Sequence, residues 1–366
     1  MSATALHHTP DHGAGAAALS GWADRPLRER LRWCRAWRGL IARRERELCA
    51  LITADVGKPR DEALTADVLS LLEALAWLEK RAPRLLGGSG PLANFWPALA
   101  GVGVRETRVP LGRVAIIATW NYPVQLLGIQ LAHALVAGND VVVKPSENAP
   151  RSQQLLLELA LQAGASAGKH SGLPPGALRW TEPTREAGAA LLAPGSPWGP
   201  FDHVVFTGST GVGSQIAQVL APSLTTSTLE LSGRDSAFVL EDADPRLAAA
   251  SIWAGATMNA GQTCMAPRRA LVHERVYTKF LTHLGPLASG AGPRAVINEQ
   301  AARTVYEQAR ASVALGARSI TGVLEAPHAR PDDHVRAARW LRPLAIIDCP
   351  AHAPLVEGRH FGPALA

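Results

Sequence analysis

Short, largely apolar segments alternate with amphipathic ones through the middle of the chain, and this alternation constrains the fold more than any other feature. The apolar segments are VAIIAT (114–119), VVV (141–143), HVVF (203–206) and TLEL (228–231). Helical patterns lie between them at 124–137, 151–163 and 214–221. Continuous apolar runs are typical of strands buried on both faces. Strands that alternate with helices form a parallel sheet covered by helices, so the sequence predicts an α/β protein.

The same periodicity divides the chain into two domains. Two amphipathic helices, at 24–53 and 64–86, open a first domain that we place at 21–232. The strand–helix alternation then restarts, which predicts a second, smaller α/β domain at 233–366.

Three segments lack this periodicity. Residues 1–20 have neither a basic start nor a long apolar core, so we expect a flexible tail rather than a secretory signal. Residues 92–110 mix Pro and Gly with short alternation, which predicts a ribbon or an extended arm. Residues 164–200 are rich in Gly, Pro and Ser and are expected to be loose.

Composition excludes several classes of protein. Of the 366 residues, 47% are apolar, which argues against a wholly disordered chain. No run of about 18 apolar residues occurs, so no membrane span is predicted. The four cysteines, Cys34, Cys49, Cys264 and Cys349, lie far apart without CxxC spacing. This pattern argues against a disulfide scaffold or a metal site, and free thiols favour a cytoplasmic location.

The net charge of +6 raises the question of nucleic acid binding. The arginines concentrate within 21–50, where they are mixed with Asp24, Glu29, Glu45 and Glu47. Aromatic residues make up only 5% of the chain, so platforms for base stacking are scarce. A solvated helix face explains the arginines better than a phosphate-binding stripe, and nucleic acid is not expected as a partner.

A glycine-rich segment, GSTGVG, separates a predicted strand from a predicted helix. Its glycines, Gly208, Gly211 and Gly213, could let backbone N–H groups face a phosphate, or could simply form a tight turn. A dinucleotide site usually has an acidic residue about 20 residues further on, and Glu230 lies at that distance. Spacing alone therefore makes Glu230 a candidate ribose ligand.

Other candidates lie elsewhere in the predicted sheet and its loops. Lys144 and Glu147 follow a buried strand, at the end where open α/β sheets bind ligands. Asn121, in TWNYP, follows another strand, and its amide could donate to an oxyanion or simply form a turn. Cys264, in NAGQTC, is either a nucleophile or a buried structural residue.

Six motifs occur in a characteristic order, and together they are far more specific than any one alone. They are TWNYP, VVVKPSE, FTGSTGVG, LELSG, NAGQTC and HFGP. In this combination residues 24–366 resemble the aldehyde dehydrogenase superfamily. TWNYP and GQTCMAP most resemble the branch that acts on medium-chain, fatty and aromatic aldehydes. The resemblance implies a parallel-sheet NAD(P)-binding domain and a smaller α/β catalytic domain.

The resemblance also implies a role for each catalytic residue. Cys264 matches the nucleophile that attacks the aldehyde, and Asn121 with the Cys264 backbone N–H matches the oxyanion site. Hydride transfer to the nicotinamide would leave a thioester. Glu230 matches the general base that activates water to hydrolyse it, so the resemblance replaces the ribose interpretation of Glu230.

The cofactor residues follow in the same way. They are Trp120, Lys144, Glu147, Gly208, Ser209, Thr210, Gly211, Val212, Gly213 and Phe361. Lys144 and Glu147 match the adenosine-ribose ligands, and the 208–213 segment matches the pyrophosphate contacts. NAD is the expected cofactor because a carboxylate at Glu147 repels a 2′-phosphate, with NADP as the alternative.

The chain departs from the family pattern at three places. Ser232 replaces a glycine in E-L-G-G-K, and Arg359 replaces the glutamate of E-x-F-G-P. The family continues past F-G-P, so we expect a truncated catalytic domain that lacks a segment used for the homo-oligomer typical of the family. The alternative function is a weak or inactive relative that retains dinucleotide binding.

Overall fold

The structure is a computed structural model that describes residues 19–87, 106–166, 172–320, 324 and 338–366. Of the predicted tail at 1–20 only residues 19 and 20 are described, and of the predicted arm at 92–110 only residues 106–110; the rest lies outside the described residues.

A helical layer opens the described chain. It consists of α1 (Leu27–Arg43), α2 (Glu45–Val56) and a continuous stretch of α3 (Arg60–Glu62), a π-helical segment (Ala63–Leu69) and α4 (Ser70–Leu86). The single helix predicted at 24–53 is therefore wrong, because the chain breaks at Arg44. Trp33 and Trp37 stack with ring centroids 5.3 Å apart. Their indole N–H groups donate to the Ala160 and Leu156 carbonyls, which fixes this layer against the helix at 150–166.

The first sheet has five parallel strands in the order β3-β2-β1-β4-β5. The strands are β1 (Arg113–Ile117), β2 (Asp140–Lys144), β3 (Leu178–Trp180), β4 (His203–Gly208) and β5 (Thr226–Leu231). The connecting helices are α5 (Gln125–Ala137), α6 (Pro150–Ser166), α7 (Arg185–Leu192) and α8 (Thr210–Leu220). The α/β prediction is confirmed. The expectation that residues 164–200 are loose is wrong, because this stretch contains β3 and α7.

Alternate residues of the inner strands face two separate cores. Val114 and Ile116 of β1 pack with the helical layer and with α5 and α6. Ala115 and Ile117 face the other way, toward the cluster that contains Ile216 of α8. A fully buried Val or Ile side chain contributes about 1.5–3 kcal/mol, so the valines and isoleucines of β1 and β2, strands buried along their whole length, stabilise this sheet.

The strand order places a ligand crevice between β1 and β4. The chain runs outward from β1 to β2 and β3 on one side, and then to β4 and β5 on the other. Open α/β sheets bind ligands outside the carboxyl ends of their strands at such a reversal. The loops after β1, β2, β4 and β5 therefore open on one edge, and they carry TWNYP, KPSE, GST and LSG.

The start of α8 differs from the prediction. Ser209 is the N-cap and the helix begins at Thr210, so Gly211 and Gly213 lie in its first turn. The predicted boundary between a glycine turn and a helix at residue 214 is therefore wrong, because the helix begins four residues earlier, at Thr210. Helix N-termini favour anions, because four N–H groups there lack helical partners.

The second half of the described chain contains seven short strands and four α-helices. Its strands are β6 (Asp235–Val239), β7 (Pro267–Val272), β8 (Arg294–Ala295), β9 (Arg318–Ser319), β10 (Trp340–Leu341), β11 (Leu344–Ile347) and β12 (Ala364–Leu365). Its helices are α9 (Pro245–Thr257), α10 (Glu274–Ser289), α11 (Glu299–Ala314) and α12 (Pro354–Glu357). Strands β8 to β11 were not predicted, because all but one of them are two residues long.

Backbone hydrogen bonds make one layer of most of these strands. Ala270 N donates to Ala366 O at 2.8 Å and Ala366 N donates to Arg268 O at 2.9 Å, which joins β7 to the chain end. The layer thus runs β6-β7-β12-β11-β9. Beside it lies an open cavity of about 580 Å³ lined by Phe238, Leu271 and Leu284 among others. Phe238 is 72% exposed, so this domain leaves apolar surface in water.

Candidate active site

The loop after β1 brings the Asn121 amide to the edge of the sheet. Asn121 is 5% exposed, and its Oδ1 accepts a hydrogen bond of 3.0 Å from Thr119 Oγ1. Its Nδ2 donates to the Gln262 carbonyl at 3.0 Å. An amide nitrogen carries two N–H donors, and the other has no acceptor among the described residues. One donor is therefore available to a ligand.

The loop that carries Cys264 has an unusual backbone. Asn259, Ala260 and Gly261 have φ angles of 51°, 53° and 67°, three successive residues in the left-handed region. Such a conformation costs about 1–3 kcal/mol for each non-glycine residue, and strain of this kind concentrates at functional sites. A Cβ on Gly261 would lie 2.4 Å from the Gly362 carbonyl carbon, so only glycine fits there.

Hydrogen bonds to Asn121, Tyr122 and Ile297 hold this loop. Asn259 Nδ2 donates to the Asn121 carbonyl at 2.8 Å, and Ile297 N donates to Gln262 Oε1 at 2.7 Å. The Tyr122 hydroxyl lies 2.7 Å from Thr263 Oγ1. The structure therefore places TWNYP directly against NAGQTC.

The four cysteines differ sharply in environment. Cys264 is exposed. Burial raises the pKa of Cys34 to about 12 and that of Cys349 to about 11, and burial also raises the pKa of Cys49. Cys264 is the one thiol of the four that solvent and a substrate can readily reach.

The HFGP segment (360–363) lies against the Cys264 loop near the end of the chain. Arg268, 2% exposed, donates to Gly362 O at 2.8 Å and to Thr263 O at 3.0 Å. Burial lowers the pKa of Arg268 to about 10. Phe361 meets Trp120 edge to face, with centroids 5.7 Å apart. The two predicted aromatic cofactor residues thus face each other, and Arg359 is exposed beside them.

Lys144 and Glu147 form an ion pair at the end of β2, with Nζ and Oε2 separated by 2.7 Å. Arg185 Nε lies 3.2 Å from the other Glu147 oxygen. Burial raises the Glu147 pKa, but hydrogen bonds from Lys144 and Arg185 outweigh it and lower the pKa overall. Sequence reasoning missed Arg185, since it lies in the stretch expected to be loose. Thr184, which caps α7, was the available signal.

The first turn of α8 is open to solvent at one glycine. A Cβ on Gly208 would lie 2.4 Å from the end of the Phe206 ring and a Cβ on Gly213 2.5 Å from a terminal methyl group of Leu231, so a larger residue at either position would displace a side chain. A Cβ on Gly211 would meet no atom within 4 Å. The exposed residues of this turn are Ser209, Gly211 and Val212, and Thr210 is half-buried. The helix end therefore leaves room for a phosphate group at its N–H donors.

Glu230 is exposed on the edge strand β5, in register with Thr207. Thr207 Oγ1 accepts a hydrogen bond from Gln130 of α5, so Glu230 lies on the sheet face that α5 covers. A Cβ on Gly233 would lie 3.5 Å from the Cys264 carbonyl oxygen, so the chain that leaves β5 passes beside the Cys264 loop. Glu230 and Lys144 lie on strands separated by β1 and β4.

The described residues contain no cluster of His, Cys, Asp and Glu suited to a metal ion. Within those same ranges, no helix has the length and apolar character needed to cross a membrane.

Comparisons with known proteins agree with this geometry. Residues 12–366 match the sequence model of the aldehyde dehydrogenase family. The chain is 33% identical to a mitochondrial succinate-semialdehyde dehydrogenase of Arabidopsis thaliana, over 94% of this chain and 63% of that protein. It is 34% identical to a 4,4'-diapolycopene aldehyde oxidase of Methylomonas sp, over 72% of this chain and 47% of that protein.

Solved structures show the same relationship. An NADP-dependent enzyme of E. coli superposes with a TM-score of 0.82 at 27% identity, covering 95% of this chain and 69% of the other. An aldehyde dehydrogenase from Burkholderia cenocepacia, described as putative, gives 0.81 at 30% identity, covering 94% and 70%. The chain thus spans about half to two thirds of the length of the first two relatives above.

Proposed function

Because the chain belongs to the aldehyde dehydrogenase family, we propose that it oxidises an aldehyde to a carboxylic acid with NAD or NADP as the hydride acceptor. One observation carries the proposal: the exposed Cys264 thiol follows a loop that is hydrogen-bonded to the Asn121 loop at the mouth of the β1/β4 crevice. A nucleophile beside a preorganised N–H donor is the arrangement that acyl chemistry requires.

Cys264 supplies the nucleophile in this proposal. Its sulfur attacks the carbonyl carbon, and the carbonyl π electrons move to oxygen as the C–S bond forms. The Asn121 Nδ2 and the Cys264 backbone N–H stabilise that oxyanion. A bound nicotinamide would take the hydride from the resulting carbon, leaving a thioester on Cys264.

Glu230 acts in the second half of the reaction. Its carboxylate removes a proton from water as the water oxygen attacks the thioester carbon. The C–S bond breaks, the acid leaves, and Cys264 returns to its thiolate. The exposure of Glu230 and its place on the α5 side of the sheet support this role over that of a ribose ligand.

The residues present fit a dinucleotide. The Lys144–Glu147 pair would hold the adenosine ribose, and the open first turn of α8 at Gly211 would hold the pyrophosphate. Trp120 and Phe361 would flank the nicotinamide. Arg359 places a cation where the family pattern has a carboxylate. That observation favours the second candidate, a relative that binds the adenosine end normally and oxidises aldehydes weakly.

The proposed substrate is an apolar aldehyde. Met258, 47% exposed, lies six residues before Cys264, and Met265, 70% exposed, follows it directly. Thioether side chains adapt to irregular apolar ligands, so they support a medium-chain, fatty or aromatic aldehyde over one with a carboxylate. All four thiols are free, which supports a reducing compartment such as the cytoplasm.

The direct test measures NADH and NADPH formation by the purified chain with alkyl, aryl and carboxylated aldehydes, beside calorimetric titration of both cofactors. Oxidation of the apolar aldehydes supports the first candidate. Cofactor binding without oxidation supports the second candidate. If the chain neither binds a cofactor nor oxidises an aldehyde, both candidates are contradicted.

A further inference from the structure

A buried ion pair lies behind the Asn121 loop. Lys58, one of only five lysines in the chain, and Asp67 contact each other with both side chains fully buried. Lys58 Nζ also donates to the Asn121 carbonyl at 2.9 Å and lies 4.1 Å from the centroid of the Tyr122 ring. The Lys58 ammonium therefore has three partners: Asp67, and the Asn121 carbonyl and Tyr122 ring of TWNYP.

Asp67 holds the other end of the same loop. Its Oδ1 accepts hydrogen bonds from the Val124 and Gln125 N–H groups, at 3.2 Å and 3.3 Å, where α5 begins. Asp67 lies in the π-helical segment Ala63–Leu69. Such segments are rare and occur frequently at functional sites. The pair thus holds Asn121 itself and the segment that follows it, up to the start of α5.

Hydrogen bonds connect the Asn121 loop in turn to the loop that carries Cys264. Asn121 donates to Gln262 O, and Tyr122 bonds Thr263, the residue before Cys264. A cavity of about 250 Å³, lined by Lys58, Asn259 and Gln262 among others, lies behind this loop. Apolar packing is therefore incomplete there, and the loop position depends on its hydrogen bonds.

A buried ion pair is a weak source of stability, because desolvation offsets its Coulomb attraction, and an apolar pair of similar size is often as stable. Resting on the proposed function, we infer that Lys58 and Asp67 are positioning residues, which hold the Asn121 amide toward the substrate oxygen at Cys264.

The test separates positioning from stability with single and double substitutions. In Asp67→Asn and Lys58→Met, kcat for aldehyde should fall about tenfold or more, with the Kd for NAD unchanged. The double variant K58M/D67L removes both charges, so its thermal midpoint should recover toward wild type while kcat stays low. Recovery of kcat together with the thermal midpoint would overturn the inference, because the pair would then be only structural.

Asp55→Asn is the matched control. Asp55 is buried, pairs with Arg151 at 2.9 Å and accepts from Ser152 N at 2.8 Å at the start of α6, as Asp67 does for α5. It should leave kcat within about twofold, a change far smaller than the loss of a catalytic donor. An equal loss of kcat in this control would contradict a specific role for Asp67.

Hydrogen exchange keeps this inference distinct from the proposed function. The variants K58M, D67N and K58M/D67L should lose amide protection in 119–124 and 259–264, whereas D55N should not. If the wild type oxidises no aldehyde, the proposed function fails, but unchanged protection in these variants would separately show that the pair does not hold the loop.

Discussion

The two walls of the candidate site differ in how firmly the fold holds them. The inner wall is buried and comprises Lys58, Asp67, Asn121, Tyr122 and Gln262. The outer wall is exposed and comprises Val212, Glu230, Cys264 and Met265. Preorganised donors stabilise a developing charge without reorganisation, whereas groups that attack or remove protons need access to substrate and water. The difference fits the proposed roles, in which the inner wall binds an oxyanion and the outer wall reacts.

The largest expected effect comes from removing the nucleophile of the outer wall. Cys264→Ala should abolish aldehyde oxidation, because no other side chain there can form the thioester. NAD binding, measured by calorimetry, should remain, since the residues proposed to hold the adenosine ribose and the pyrophosphate lie after β2 and at the start of α8. Cys349→Ala is the control and should retain activity, because Cys349 is partly buried outside the site.

Thiol alkylation checks the same assignment without a substrate. Cys34 and Cys349 have pKa values raised to about 12 and about 11 by burial, so they stay protonated at neutral pH. Iodoacetamide should therefore label Cys264 first. Equal labelling of all four cysteines would remove the case for a distinct outer wall.

The second largest effect concerns the base. Glu230→Gln should reduce steady-state turnover by about 10²–10⁴-fold, the usual contribution of general base catalysis. The first turnover should still release one NADH per site, leaving an acyl-enzyme detectable by mass spectrometry. Thr228→Val, two residues away on the same strand, should turn over normally. Sustained turnover in the Glu230 variant would restore the ribose interpretation.

The inner wall offers a stability test at Gly261. Gly261→Ala should lower the unfolding free energy by more than the about 1–3 kcal/mol of left-handed strain, because the new Cβ would overlap Gly362. Gly292→Ala is the control, since a Cβ there would meet no atom within 4 Å. Thermal denaturation of both variants measures the difference, and equal midpoints would show that the contact with Gly362 does not constrain the loop.

Sequence patterns predicted those helices and strands that are marked by the composition of their own residues. VVV and HVVF were recognised as strands because β2 and β4 are central, and their apolar residues serve both cores. Strand β3 was missed because it is three residues long at the sheet edge, with Arg179 in its middle. Long-range contacts explain such failures, since an edge strand is selected by its neighbour rather than by its own composition.

The candidate site divides in the same way. Motif order placed Cys264, Asn121 and Lys144 on loops that the structure brings to one edge. It did not predict that Asn259 and Ala260 adopt left-handed backbone, because neither is glycine and the conformation depends on distant partners.

The smallest expected effect concerns which cofactor the site prefers. Glu147 alone would repel a 2′-phosphate, but Lys144 and Arg185 occupy both of its oxygens and leave the trio with a net positive charge. Arg185→Ala should weaken NADP binding about tenfold through one lost charge-assisted hydrogen bond. NAD binding should change by less than about twofold, because its ribose carries no phosphate. Arg275→Ala, which removes an exposed ion pair in the second domain, is the control. Calorimetry at low ionic strength measures all three proteins. If both cofactors weaken equally, Arg185 stabilises α7 rather than selecting the cofactor, and cofactor choice then lies with Lys144 and Glu147.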